Sequence, residues 1–467
     1  MRIPQKLCVV HINILEQLVL VSSLVKWTFY GATTGVIVGL GTAAFLTLLE
    51  WAITVWTVIP YYYLWIPAVL FLNSLMVWLL APEVEAGSDK AIEAIHKRRG
   101  YLPLMEAPIK LVATVITIAA GGSAGKEGPA AQIGATLAST WSRFIKANDI
   151  DCQKMAICGL SAGFAAVFGT PVAGAIFGVE VLFIGKIMYD VLYPALIAGL
   201  TSYYVANSLG VAYLYQNVYV QPSIGLMGNA ILLGLVSGLL AILFIQVVKT
   251  VNDYFKLLTL WKPLKALVGG VLLALLGFCG GVPYLGLGMG LLWNGIQGQF
   301  LAQSALIWKT LATAITLGCG GTGGIITPIM VVGASIGNLF GQIAGGVDIP
   351  GYTAIGMAAL LAGAVNTPIA AVLMTVELFG VGIIPYAAIG CLASYLISGH
   401  RSVYLSQIVA MGKSSSLQIA VGQPVGCLSD PKLNLRPQTL CSYILKSYLK
   451  STAPGEADKG GIDRRSH

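Results

Sequence analysis

Long stretches of this chain carry no charged side chain. Asp, Glu, Lys and Arg are all missing from residues 191–248, 266–308 and 310–347. A helix needs about 20 consecutive apolar residues to cross the hydrocarbon core of a bilayer, so each stretch can hold one or two such helices. A spanning β-barrel would show short alternating segments instead of these long Leu, Ile, Ala and Gly runs. The pattern predicts an all-α polytopic membrane protein.

The order of apolar and polar segments predicts three domains. An amphipathic lead-in is expected over residues 1–26 and a transmembrane domain over 27–411, followed by a short, partly ordered tail over 412–467. Within the transmembrane domain, a polar, Tyr-rich connection separates two halves at about 27–210 and 225–411.

Each half is predicted to begin with long helices and to end in short helices broken by Gly and Pro. In the first half the long helices are expected near 27–57 and 61–80, and the segment 81–110 is polar and basic. The second half is expected to begin with another long helix near residue 225.

Composition and charge support the membrane assignment. The 467 residues are 57% hydrophobic and 10% charged, against about a quarter charged in a typical soluble domain. The net charge of +8 comes from basic residues in short connections and in the tail, which is the positive-inside pattern and not a nucleic-acid signal. It predicts a cytoplasmic tail and a multi-pass protein of the plasma (inner) membrane, with the lipid bilayer as its surroundings.

Cysteine and histidine give no metal-site pattern. The eight cysteines are scattered without a C-x-x-C pair, and the four histidines are far apart. Most of the cysteines lie in apolar runs, where they are expected to act as small buried hydrophobic residues. No metal site and no cofactor are predicted.

Two segments 199 positions apart share one skeleton. Residues 121–129 read GGSAGKEGP and residues 320–328 read GGTGGIITP, and Gly-Ala follows at the same spacing in both. A glycine-rich bend that runs into a proline is how a helix begins. Helix N-termini present unpaired N–H groups and a partial positive charge, so they attract anions. The pair indicates an anion pathway.

The repeat continues towards the C-terminus with a slightly shorter offset. Thr170 and Thr367 each precede a proline and are 197 positions apart, as are Glu180 and Glu377. Many transporters consist of two such halves in inverted orientation, with the substrate bound where broken helices meet near the bilayer midplane. An inverted pair of repeats is therefore the expected architecture.

Several polar residues allow two interpretations. Glu127 could stabilise a helix dipole at a water interface, or it could be a titratable gate, because ionisable groups at membrane depth usually mark ion paths. Glu180 and Glu377 could cap buried backbone or act in transport. Ser88 could be an ordinary helix cap, and Tyr404 an aromatic residue of the membrane interface.

Two serines match the G-x-S-x-G pattern of a nucleophile elbow. They are Ser123 and Ser161, and both are flanked by predicted membrane helices. A nucleophile elbow needs a preceding strand and an Asp/His pair, and histidine is scarce in this chain. No catalytic residues are predicted, and the protein is not expected to be an enzyme.

With these motifs the chain resembles the ClC family of chloride channels and proton/chloride exchangers. The family's G-[KR]-E-G-P motif is present in full at 125–129, its G-x-F-x-P motif has Ile in place of Phe at 324–328, and its G-S-G-I-P motif keeps only Gly and Ser at 87–88. The matching residues are Gly87, Ser88, Gly125, Lys126, Glu127, Gly128, Pro129, Gly324, Ile325, Ile326, Thr327 and Pro328. Tyr404 matches a tyrosine near the start of the last membrane helix.

The resemblance implies a homodimer with one pore in each subunit. Chloride, the bound substrate, would lie between the hydroxyls of Ser88 and Tyr404 and the backbone N–H groups of Ile325 and Ile326. Glu127 would be the gate. Family exchangers often have a proton-carrying glutamate where this chain has Val181, so Glu180 is left as a possible relay.

Passive, glutamate-gated chloride transport is therefore the leading prediction, and proton-coupled chloride exchange is the alternative. Fluoride export is a minor alternative, because the fluoride branch of the family tends to lose the equivalents of Ser88 and Pro129, and both are present here. A membrane scaffold that transports nothing would leave the paired glycine-rich helix starts unexplained.

Overall fold

The helices form two consecutive series. The computed structural model describes residues 5–80, 89–220, 222–345, 348–428 and 432–433, with side chains from residue 15 onward. The first series is α1 (Gln5–Thr57), α2 (Ile66–Leu80), α3 (Asp89–Lys97), α4 (Glu106–Ala119), α5 (Glu127–Phe144), α6 (Asp149–Phe168), α7 (Pro171–Glu180) and α8 (Tyr189–Ser208).

The second series follows the same order. Its members are α9 (Ile224–Leu257), α10 (Lys262–Leu276), α11 (Met289–Ile296), α12 (Ser304–Gly318), α13 (Ile326–Ile343), α14 (Ile349–Val365), α15 (Pro368–Phe379) and α16 (Ile384–Ile397). Short strands complete the described chain: β1 (Phe183–Ile184), β2 (Ile408–Val409), β3 (Leu417–Gln418) and β4 (Lys432–Leu433). Strand β1 pairs in parallel with β2, and β3 pairs antiparallel with β4.

The packing contacts of the first series recur in the second series between the helices that lie eight places later in the chain. The α5–α6 contact has its equivalent in α13–α14, and the α1–α8 contact has its equivalent in α9–α16. Across the two series, α5 packs against α13 and α7 against α15. The predicted all-α membrane fold of two repeats is confirmed. The α5–α13 and α7–α15 contacts contain residues of the repeated motifs, and α2 also packs against α10 across the two series.

The short helices begin where the sequence signals predict. α7 and α15 each begin at a proline that follows a threonine, which suits the first turn because proline has no N–H to leave unpaired. The side chain of Asn148 caps α6 by accepting a hydrogen bond from the Asp151 N–H at 2.8 Å. These signals end one helix and begin the next, so that helix ends lie in the interior of the protein.

Several helices are long and apolar enough to cross a membrane. The candidate spans lie over Leu15–Thr57, Tyr62–Leu80, Ile224–Leu257, Lys262–Ile296 and Ile326–Ile343. Large apolar side chains also cover outward faces: on α9, Leu232, Leu239 and Leu243 are more than half exposed. A helix face of this kind is stable against lipid, where there is no cost of hydrating it.

Some predicted boundaries are wrong. The helix predicted over 27–57 is longer in the structure, since α1 begins at Gln5 and continues to Thr57. The predicted helix 61–80 begins as a 3₁₀ turn (Tyr62–Trp65) and becomes α-helical at Ile66. The polar, basic segment 81–110 contains α3 and the first turn of α4.

The long helix predicted at the beginning of the second half starts at Ile224, as expected. Most of the predicted tail, 412–467, lies outside the described residues, and the three-domain division stays a prediction.

Candidate anion-binding site

The two glycine-rich loops meet in the interior of the protein. Gly125 N–H donates to the Gly324 carbonyl at 2.7 Å, and Gly324 N–H donates to the Gly125 carbonyl at 2.7 Å. This isolated antiparallel bridge relates the repeats by an approximate two-fold axis. The backbones approach so closely that a Cβ atom at Gly324 would lie 2.7 Å from the Gly128 nitrogen. Glycine is therefore required here for space.

Threonines of α4 and α12 fix the two loops from opposite sides. Thr316 Oγ1 accepts a hydrogen bond from Ser123 N–H at 3.0 Å, and Thr117 Oγ1 accepts one from Thr322 N–H at 3.2 Å. Thr117 and Thr316 are themselves 199 positions apart, so each repeat supplies a hydroxyl to the loop of the other. Sequence analysis missed this pair, although the motif offset would have identified it.

The Glu127 carboxylate contacts the first turn of α13, in the other repeat. Glu127 is the first residue of α5 and is fully buried. Its Oε2 accepts a hydrogen bond from the N–H of Thr327, in the first turn of α13, at 3.1 Å. Within the described part of the chain, its Oε1 has no hydrogen-bond partner. The carboxylate therefore occupies a position at a helix N-terminus that would otherwise suit a small anion.

A small cavity lies beside this carboxylate. It measures about 10 Å³, and its lining includes Glu127, Ile326, Tyr404, Phe177 and Val181. A space of that size holds about one water molecule. The cavity thus brings together three of the residues that the sequence predicted to act on one anion, although they come from distant parts of the chain.

A larger chamber approaches the same point from the other side. Its volume is about 470 Å³, and its lining includes Ile325 and Tyr404 as well as charged groups: Asp89, Lys256, Lys262 and Lys265. Burial raises the pKa of Asp89, whose carboxylate accepts a hydrogen bond from Ser406 N–H at 2.9 Å, and three lysines face this one acidic side chain. An excess of positive charge around a chamber raises the local concentration of anions. Tyr404 lines both spaces.

Backbone and amide contacts hold Tyr404 between the two spaces. Its N–H donates to Ser402 Oγ at 3.0 Å, and that hydroxyl donates to Gln407 Oε1 at 2.5 Å. Gln407 Nε2 donates to the carbonyls of Val181 at 2.7 Å and Val365 at 2.8 Å, one in each repeat. Together with the β1–β2 pairing, these bonds dock the segment after α16 onto both halves. Tyr404 is 3% exposed, so it is not an interface-belt residue.

Glu180 and Glu377 cap each other's repeat. The Glu180 carboxylate accepts hydrogen bonds from Ile369 N–H at 3.1 Å and Ala370 N–H at 2.8 Å, in the first turn of α15. The Glu377 carboxylate accepts two bonds, at 3.0 and 2.8 Å, from the first turn of α7. The capping interpretation of both residues is confirmed. Val181 faces the small cavity, whereas Glu180 lines a separate pocket of about 530 Å³.

The other predicted site residues lie at the loop contact, at the two helix starts or outside the described residues. Gly125, Gly128 and Gly324 form the loop contact, while Lys126, Pro129 and Pro328 begin or flank the two helices. Gly87 and Ser88 lie outside the described residues.

Comparison with known proteins identifies the family. Residues 68–399 match the family model for voltage gated chloride channels. The chain is 34% identical over 416 residues to the chloride/fluoride channel protein of Pseudomonas syringae pv. tomato, a match that covers 85% of this chain and 90% of the relative. It is 29% identical over 310 residues to the voltage-gated ClC-type chloride channel ClcB of Citrobacter koseri, covering 62% of this chain and 72% of that protein. This protein belongs to the ClC family.

Solved structures have the same fold. A CLC-type fluoride/proton antiporter superposes with a TM-score of 0.77 at 26% identity, covering 82% of this chain and 98% of the other. A slow cyanobacterial Cl⁻/H⁺ antiporter superposes with a TM-score of 0.67 at 22% identity, covering 80% and 93%. The family's members are ion channels or transporters, so this chain is an integral membrane protein of anion transport.

Proposed function

We propose that the protein conducts chloride passively across the membrane and that Glu127 is the gate. The observation that carries the proposal is the Glu127 carboxylate on the Thr327 N–H of the opposite repeat. A carboxylate and a free anion compete for the same donors at a helix N-terminus. When Glu127 is ionised it fills this position, and when it is protonated it loses the charge that holds it there.

The route for the anion follows the spaces on either side of Tyr404. Chloride enters the lysine-lined chamber, passes Tyr404 beside the N–H groups of Ile325 and Ile326, and reaches the small cavity at Glu127. Neutral donors suit a monovalent anion, because a full positive charge at the binding point would hold it too tightly to release. By the family resemblance the Ser88 hydroxyl completes this site.

Passive transport is favoured because, among the described residues that line the small cavity, Glu127 is the one carboxylate. Val181 lines the cavity there, and an aliphatic side chain cannot carry a proton. Both oxygens of the neighbouring Glu180 carboxylate are bonded to the first turn of α15. A proton relay through Glu180 would first have to release that cap.

Proton-coupled exchange is the second candidate function. It is favoured by the 26% identical neighbour described as a fluoride/proton antiporter, and by the pocket that reaches Glu180. The name of the Pseudomonas relative also makes fluoride a candidate substrate. Pro129, which the fluoride branch of the family tends to lose, is retained, so chloride stays the proposed substrate.

Assembly and orientation complete the proposal. By the resemblance, the protein is a homodimer in the plasma (inner) membrane, with one pathway in each subunit and the tail in the cytoplasm. The lysines of the larger chamber then lie on the cytoplasmic side, as the positive-inside pattern requires. No cofactor or catalytic chemistry is proposed.

Replacing Tyr404 with phenylalanine is expected to weaken chloride binding by roughly 10- to 150-fold, because one hydrogen bond to a charged group contributes about 1.5–3 kcal/mol. Isothermal titration calorimetry of the purified protein measures this change. Tyr386→Phe is a matched control: Tyr386 is also buried, at 4% exposure, and its hydroxyl accepts a bond from Ser223 N–H away from the pathway. Equal chloride affinity in the wild type and Tyr404→Phe would remove Tyr404 from the site.

A further inference from the structure

The chain after Tyr404 returns to the break between α14 and α15 at Lys413. The Lys413 Nζ donates hydrogen bonds to Asn366 Oδ1 at 2.5 Å, to the Tyr395 carbonyl at 2.6 Å and to Ser398 Oγ at 3.3 Å. It also lies 3.7 Å from the centroid of the Tyr395 ring. Tyr395 and Ser398 lie at the C-terminal end of α16. The Lys413 side chain therefore joins the beginning of the predicted tail to the helix break and to α16.

These contacts do not depend on the charge of Lys413. Its bonding partners are an amide, a carbonyl and a hydroxyl, all of them uncharged. Burial lowers the pKa of Lys413 to about 7. The neutral amine still has two N–H groups, which are enough for the two shortest bonds, those to Asn366 and to the Tyr395 carbonyl. The link is therefore one of hydrogen bonding in both protonation states.

Asn366 connects Lys413 to the segment that carries Tyr404. Asn366 is buried at the break between α14 and α15, in the left-handed conformation with a φ of 60°. Its Nδ2 donates to the Arg401 carbonyl at 2.8 Å, three residues before Tyr404. Since Lys413 binds its Oδ1, both ends of the amide are bonded and its orientation is fixed.

Lys413 also closes the loop in which Tyr404 lies. The Lys413 N–H donates to His400 Nε2 at 2.8 Å, so the two ends of that loop are bonded to each other. Gln407 holds the part of the loop after Tyr404 through its bonds to both repeats. Asn366 holds the part before Tyr404. The two amides thus restrain the tyrosine from both sides along the chain.

The first repeat has no equivalent of this amide link. The position 197 residues before Asn366 is Gly169, which ends α6 with a φ of 73°. The Gly169 carbonyl accepts a hydrogen bond from the Tyr215 hydroxyl at 2.7 Å. Glycine has no side chain that could bind a further segment. The link from Lys413 through Asn366 is therefore a property of the second repeat, which is the repeat that leads into Tyr404.

We propose that Lys413 is a positioning residue for the anion site, because its bond to Asn366 fixes the place of the Tyr404 hydroxyl. This inference rests on the proposed function, in which that hydroxyl contacts chloride. When the Lys413 donor is removed, Asn366 Oδ1 becomes a buried acceptor without a donor, and the amide is free to turn away from the Arg401 carbonyl. The segment before Tyr404 then loses a restraint, and its hydroxyl is no longer held at hydrogen-bonding distance from the anion.

The test is isothermal titration of chloride into the purified full-length protein. Lys413→Met keeps the aliphatic stem and removes the donors, so it is expected to weaken chloride binding about fivefold, the equivalent of one neutral hydrogen bond. Asn366→Gly removes the amide, and glycine suits the positive φ, so the same loss is expected. The two variants test the link from both of its ends, and thermal unfolding shows that each one is folded.

Lys186→Met is the matched control. Lys186 is an exposed lysine that lines the same pocket as Asn366, and its replacement should leave chloride affinity unchanged. Lys413→Met should add no further loss in an Asn366→Gly or a Tyr404→Phe background, because all three changes act on one path.

Wild-type affinity in folded Lys413→Met, or an equal loss in Lys186→Met, overturns the role of Lys413 and leaves the anion site intact. The same holds for a fivefold loss that persists in either double variant, since a path through Asn366 to Tyr404 would then not be the cause. Equal affinity in the wild type and Tyr404→Phe would instead remove Tyr404 from the site, and the role of Lys413 with it.

Discussion

The Glu127→Gln variant is expected to carry more anion flux than the wild type and to lose most of its pH dependence. Glutamine has the shape of the protonated carboxyl group but no charge, so it competes poorly with chloride for the Thr327 N–H. At a pH one unit above the midpoint of the gate only about a tenth of wild-type molecules are protonated, so the expected gain is roughly tenfold. Chloride efflux from liposomes between acidic and alkaline pH measures it.

Glu93→Gln is a suitable control for this experiment. Glu93 lies on α3 and forms an exposed pair with Lys97, so its neutralisation removes a carboxylate that lies away from the pathway. The flux of this variant should follow the wild-type pH curve. If Glu127→Gln also follows that curve, its carboxylate has no part in gating.

The Gly324→Ala variant is expected to lose both stability and transport. The new Cβ atom would lie 2.7 Å from the backbone nitrogen of Gly128, and backbone atoms at this contact have little room to shift. Overpacking of this kind costs about 1–3 kcal/mol, and a displacement of the two helix starts by that strain should lower flux by roughly tenfold. Thermal unfolding in detergent and chloride efflux from liposomes measure the two effects.

Gly290→Ala is the matched control for the loop variant. Gly290 lies in α11, and a Cβ atom there would meet nothing within 4 Å. The same substitution should therefore leave flux unchanged and stabilise the helix by up to about 1 kcal/mol. Wild-type stability and flux in Gly324→Ala would show that the loops do not need their close approach.

Buried carboxylates recur at helix starts across the repeat boundary. Glu180 caps α15, Glu377 caps α7, and Glu127 binds the first turn of α13. The first two form a reciprocal pair. The third is unmatched, because the position equivalent to Glu127 in the second repeat is Ile326. This asymmetry supports the proposal that an anion takes the place that a carboxylate side chain at residue 326 would occupy.

Much of this arrangement was predictable from the sequence because the repeat is visible in it. The offset of 199 placed the motif loops in equivalent positions, and the Gly–Pro pattern predicted that each begins a helix. For Glu127 the same pattern left a water interface and membrane depth open, and the structure buries the side chain fully. Capping by Glu180 and Glu377 was one of two open interpretations.

The partners of these residues were not predictable. Nothing in the local sequence says that Glu180 caps a helix almost 190 positions away, because that contact depends on how the repeats pack together. Lys309 lies in the sequence between two charge-free stretches, and nothing there predicts that its ammonium is buried and donates to the carbonyls of Tyr284 and Gly286. The extent of α1 was not predicted either, because residues 1–26 were interpreted as a separate amphipathic segment, whereas the helix runs from Gln5 to Thr57.

Simultaneous recording of chloride and protons in liposomes tests passive transport most directly. Wild-type protein is reconstituted with chloride concentrated inside, charge balance is provided by a potassium ionophore, and an electrode and a pH dye follow the two ions. Val181 at the cavity and the engaged Glu180 carboxylate predict that chloride leaves down its gradient while protons do not move against theirs. Sustained uphill proton movement coupled to chloride efflux would contradict the proposal and establish exchange.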